Sequence, residues 1–127
     1  LRGATSLEFA LVLPIIVALF SGTIDGAMFL CQRAAVIDAA NAGARAGAVS
    51  GDVDAVIDDA TAAVIAKLAA SGFAGEGATV TATQVEGSAP LVRVEVSVPF
   101  EGFVGLLPMP ATLSAVVTVR YENTSAT

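Results

Sequence analysis

The stretch GATSLEFALVLPII, residues 3–16, carries a single charge, the carboxylate of Glu8, and no further charge follows until Asp25. From Phe9 to Ile24 run 16 uncharged residues, about 24 Å of helix, which is short of the roughly 20 residues that cross a bilayer unaided. Extending the segment over residues 4–31 makes a full span, with Glu8 and Asp25 inside it. A cleaved secretory signal would be followed at once by a small-residue cleavage site, and DGAMFLCQR, residues 25–33, does not have that form. Residues 4–31 therefore read as a retained hydrophobic helix. The chain begins at Leu1 rather than Met, which predicts either a removed leader or a fragment.

The rest of the composition agrees with a chain that is partly out of water. Of 127 residues, 55% are hydrophobic, more than a soluble domain of this size carries. Arg2, Glu8, Asp25 and Arg33 cancel within residues 1–33, so the whole net charge of −6 lies beyond Arg33. The distal part is an acidic, solvated body with no Lys/Arg cluster, and nothing in it would neutralise a phosphate backbone. Nucleic acid is not an expected partner. Histidine is absent, which removes the commonest general base and metal ligand, and no metal or cofactor is expected. The single cysteine, Cys31, sits in AMFLC and is predicted to be a small buried hydrophobe.

Pro14 removes one backbone hydrogen bond and is expected to kink or loosen the first helix, and Gly22 and Gly26 weaken it further. Beyond Arg33 the run AAVIDAANAGARAGAV lacks proline and continues the helix. In it Ala35, Ala39, Gly43 and Gly47 recur every four residues, a small-residue stripe along which another backbone can approach closely. Asp38, Asn41 and Arg45 form a polar line on another face.

At SGD, residues 50–52, the chain turns, and Ser50 or Asp52 can cap a second helix. Asp52, Asp54, Asp58 and Asp59 lie at the positive end of its dipole. Val53, Val56, Ile57, Ala60, Val64 and Leu68 fall at helical spacing, Lys67 lies near the end, and Gly72 is the expected stop. The acidic cluster lacks the oxygen-ligand spacing of a calcium-binding EF-hand loop.

Past Gly77 the period changes to two. ATVTATQVE, LVRVEVSVPF and TLSAVVTVRYE are rich in Val and Thr and read as strands. The second puts Val92, Val94, Val96 and Val98 on one face; the third puts Leu113, Ala115, Val117, Val119 and Tyr121 on one face. EGSAP, residues 86–90, is a hairpin connection, and EGFVGLLPMPA, residues 101–111, a longer loop. The fold class is α+β: a long N-terminal helix, a second helix and a three-stranded antiparallel sheet, whose apolar face residues 34–70 would cover. Two units are expected, a hydrophobic helix over 1–33 and a small α+β head over 34–127.

No nucleophile stands with a base, no carboxylate pair has a recognisable frame, and no phosphate-binding loop is present, so an enzyme is not expected, nor a small-molecule substrate. Phe103, Leu106, Leu107 and Met109 either dock a neighbour or close the end of the sheet core. NTS, residues 123–125, is a glycosylation sequon at Asn123, a weak signal in a Ser/Thr-rich tail.

Three stretches, RGATSLEFALVLPII at the start, QRAAVIDAANAGARAGAV in the middle and VRYE near the end, give the chain a resemblance to the type IV pilin-like superfamily. Within it the sequence is most similar to the TadE-like pilins of tight-adherence (Tad) pili. The resemblance implies a prepilin peptidase that cuts after a Gly and leaves Glu as the fifth mature residue. Gly3 followed by Ala4 fits that count for Glu8, whereas counted from Leu1 it is the eighth. The resemblance further implies a filament-forming subunit that starts in the bacterial inner membrane, is handled by pilus assembly machinery and ends in an extracellular pilus.

An unpaired carboxylate in an apolar interior is costly, and one that meets a cation is tolerated. In a filament of packed N-terminal helices Glu8 would favour the one register that supplies its partner, either a neighbour's N-terminal amine or Arg2. Alternatively Glu8 snorkels to the membrane interface. Three readings stay open: a polymerising homo-oligomeric pilus subunit for adhesion, a minor pilin that primes or tips the filament, and a single-pass membrane-anchored binding domain.

Overall fold

A computed structural model describes residues 2–72, 77–87 and 90–121, with the backbone alone at Val53. Leu1, the sequon at Asn123, part of GEG (75–77) and the centre of EGSAP lie outside the described residues. Helix α1 runs Arg2–Val49, α2 Val56–Ser71, and strands β1 Thr79–Val85, β2 Leu91–Pro99 and β3 Thr112–Arg120 follow. The α+β order read from the sequence is the order of the fold.

Helix α1 is one element of 48 residues, and its helical pattern passes unbroken through Pro14. It ends at Val49, and after Ser50 and Gly51 the side chain of Asp52 accepts the N–H of Asp54 at 3.1 Å and opens a 3₁₀ turn, Val53–Ala55, that leads into α2. Ser50 Oγ donates to Asp59 at 2.8 Å, pinning the first turn of α2 to the end of α1. Helix α2 stops at Gly72, whose φ of 73° is a left-handed cap that an L side chain resists. Four residues, Val56, Ala60, Val64 and Leu68, turn one face of α2 inward. Ile57, read as part of that face, is exposed, as is Ile65.

The sheet is an antiparallel meander in the order β1-β2-β3. Val94 of the central strand faces Ala82 on one side and Val117 on the other. Val92, Val94, Val96 and Val98 are all buried, and alternation places Arg93 and Glu95 on the exposed face. Helix α1 covers β2 and β3 while α2 covers β1. The core they enclose is made of Val36, Ala39, Ala40 and Ala44 from α1, the inner face of α2, the four valines, Phe100, Leu113 and Tyr121.

Small residues set the helix-to-helix distance. A Cβ on Gly43 would collide with the Val64 side chain and come within 2.9 Å of the Ala60 carbonyl. One on Gly47 would stand 3.0 Å from Val92 and 3.2 Å from the Val56 carbonyl. Their absence lets α2 and β2 close onto α1 together. Tyr121, past the end of β3, is buried and donates its hydroxyl to the Ser50 carbonyl at 3.0 Å, tying the sheet to the turn after α1.

Candidate anchoring and assembly surfaces

Every residue from Arg2 to Phe20 is exposed. Leu7, Phe9, Leu11, Leu13, Ile15, Val17, Leu19 and Phe20 thus present a bare apolar helix to the surroundings, and by length and composition α1 is able to cross a membrane. Glu8 lies in this bare segment with Arg2, Gly3, Ala4 and Pro14, and all five are exposed. Arg2 stands six residues before Glu8, about 120° round the helix, so the two project to different sides.

The stripe Ala35, Ala39, Gly43 and Gly47 belongs to the other half of α1. Ala39, Gly43 and Gly47 are buried and Ala35 is half-buried. Gly43 and Gly47 face α2 and β2 of the same chain, so this part of the stripe is occupied by the chain's own head.

The head first touches α1 well inside the apolar segment. Asp25, an acid within the stretch read as a membrane span, is only 1% exposed. Its carboxylate accepts the N–H of Val104 at 2.9 Å and that of Gly105 at 3.0 Å. Two backbone donors converging on one carboxylate satisfy a charge that would otherwise be costly to bury. The loop between β2 and β3 is shaped for this contact. Gly105 has φ 69°, a left-handed turn, and a Cβ on Gly102 would sit 3.3–3.4 Å from the carboxylate atoms of Asp25. One turn lower, Leu107 packs over Gly22, where a Cβ would lie 3.1 Å from the leucine side chain. One turn higher, Phe29 and Phe100 meet edge to face with centroids 5.3 Å apart.

Of the loop apolars read as docking a neighbour or closing the core, only Met109 packs against the core. Phe100 and Met109 close the end of the core, whereas Phe103, Leu106 and Leu107 are exposed. Cys31 is also exposed, correcting the expectation that it is buried. It lines a shallow groove of about 390 Å³ between the outer faces of α1 and α2, with Ala34, Ala35, Asp38, Lys67, Ala70 and Ser71. Its apolar neighbours in sequence point elsewhere round the helix, and α2 borders this side of α1 without covering the thiol.

Among the described residues no group of three or more Cys, Asp or Glu is placed to hold a metal ion. The acids at the start of α2 have other uses, Asp52 as a cap and Asp59 as the acceptor of Ser50. The contacts that sequence reading missed, Asp25 with Val104 and Gly105 and Tyr121 with Ser50, share a feature: each pairs a side chain with a backbone group far away in the chain. A second acid inside an apolar helix and the glycines of GFVG, residues 102–105, were the available signals.

A long helix, bare and apolar below, carries a small α+β head above, an architecture compatible with membrane anchoring. A family model described as TadE-like protein matches residues 3–45, nearly all of α1 and none of α2 or the sheet. The chain is thus similar to TadE-like proteins of Tad pili over that helix, and the match suggests an association with such a pilus. No curated protein and no solved structure matches the chain.

Proposed function

We propose that the chain is a structural, non-catalytic subunit of a Tad-type pilus. It is anchored in the inner membrane by the lower half of α1 and passes from there, with the pilus assembly machinery, into an extracellular filament used in attachment. The observation that carries this reading is the bare apolar segment from Arg2 to Phe20 with Glu8 embedded in it. Such a surface is unstable in water and finds its place either in lipid or against copies of itself. Copies packed head to tail use two different surfaces, do not close, and grow as a fibre.

Within that fibre Glu8 selects the register. Its own Arg2 projects to another side of the helix, so the cation that meets Glu8 comes from a neighbour: the amine made by cutting between Gly3 and Ala4, or Arg2 and the amine of an uncut chain. The test is fibre yield from Glu8→Gln and Glu8→Leu, with mass spectrometry of the subunit N-terminus. A large loss of fibres is expected from both variants, and normal assembly from either one sinks the register role.

The match to TadE-like proteins favours a second reading, a minor pilin that primes or tips the filament. Counting copies per fibre by immunogold labelling separates the two: a few at one end for a minor pilin, continuous decoration for the main subunit. A membrane-anchored binding domain would instead be a monomer that tolerates either change at Glu8.

A further inference from the structure

The head runs down α1 as β2 proceeds. Val92 lies against Gly47, Val94 against Gly43, Phe100 against Phe29, the amides of Val104 and Gly105 against Asp25, and Leu107 against Gly22. The loop of residues 101–111 is therefore the part of the head nearest the bare segment of α1. It is also apolar and uncovered: Phe103 is 81% exposed, Leu106 59% and Leu107 44%. Its one charged residue, Glu101, stands at its start.

We propose that this loop is a lipid-contacting foot, with Phe103, Leu106 and Leu107 seated in the boundary between headgroups and acyl chains where α1 leaves the membrane. The inference rests on the anchoring reading above. Three observations carry it. At the level where Leu107 packs over Gly22, α1 exposes Leu19, Phe20 and Ile24, so apolar loop and apolar helix lie at one height along α1 and one solvent suits both. The uncharged run Phe9–Ile24, about 24 Å long, falls short of a hydrocarbon core of roughly 30 Å, and an apolar collar at its outer end lets the head settle to make up the difference. Finally, Asp25, the charge that would oppose such settling, is buried and held by the loop's own amides.

The chain contains no tryptophan, so single substitutions report depth without background. The full chain is reconstituted in phosphatidylcholine vesicles with acyl chains brominated either near the headgroup or near the chain end. Four variants are compared: Phe103→Trp and Leu106→Trp in the loop, Leu13→Trp within the bare helix, and Val49→Trp at the far end of the head. The expected result is strong loss of emission at 103 and 106 with bromine near the headgroup, loss at 13 with the deeper bromine, and none at 49.

Quenching at 13 without quenching at 103 and 106 overturns the foot and leaves the anchor standing. Absence of quenching at 13 removes the anchor and the foot with it. A blue shift at 103 that follows protein concentration and ignores bromine assigns the loop to a second copy of the chain, which also overturns the proposal.

Discussion

Asp25 and Val104 lie 79 positions apart in the chain, and the carboxylate of the first accepts the backbone N–H of the second at 2.9 Å. Gly105 donates to the other oxygen at 3.0 Å, so one side chain fixes the place of a whole loop. In Asp25→Ala both amides lose their acceptor in a part-buried site, a loss on the order of 1–3 kcal/mol. Hydrogen exchange of the two amides, measured in detergent micelles, is expected to rise to the rate of an open loop while β2 and β3 stay protected. Unchanged protection at 104 and 105 would show that the loop is held by its apolar contacts alone.

Gly43 and Gly26 are both helical glycines, yet a Cβ on the first would meet Val64 and Ala60 whereas one on the second has nothing within 4 Å. Gly43→Ala is expected to lower stability by about 1–3 kcal/mol through overpacking. Gly26→Ala is expected to raise it by up to about 1 kcal/mol through helix propensity. Thermal unfolding of the head, followed by near-ultraviolet dichroism in micelles, reads both, and equal effects would contradict the packing described for α1 and α2.

The hydroxyl of Tyr121 is a single, well-defined tie between the end of the sheet and Ser50. Tyr121→Phe keeps the ring in the core and removes only the donor, at a cost of about 1 kcal/mol. Pulse proteolysis across a urea series is the suitable measurement. A midpoint identical to that of the parent protein would mean that water replaces the hydroxyl without loss.

Cys31 faces outward in a groove that α2 does not close. A maleimide is expected to label it in the folded, detergent-solubilised chain at a rate close to that of the urea-unfolded chain. Labelling only after unfolding would place the thiol inside the core.

The parts of this fold legible in the sequence are those set by local pattern. The period of two in LVRVEVSVPF gave both faces of β2, and the break at SGD and the stop at Gly72 bounded α2 to within a few residues. What was not legible depends on which side of a helix is covered. Cys31 and Ile57 have apolar neighbours in sequence, but burial follows from what packs opposite, and neither faces the sheet. Asp25 was visible as an inconvenient charge. Its partners were not, because backbone N–H groups belong to every residue but proline and leave no mark in the sequence.

Helix α1 has 48 residues, and every one of its residues from Arg2 to Phe20 lies below the head and is exposed. The thermodynamic consequence is that a single chain is not a complete system. The head has an interior of its own, while the bare part of α1 takes its free energy from whatever medium receives it. A stability quoted for this protein is then a joint property of the chain and its medium, and it shifts with detergent, lipid or the concentration of other copies as a binding equilibrium does.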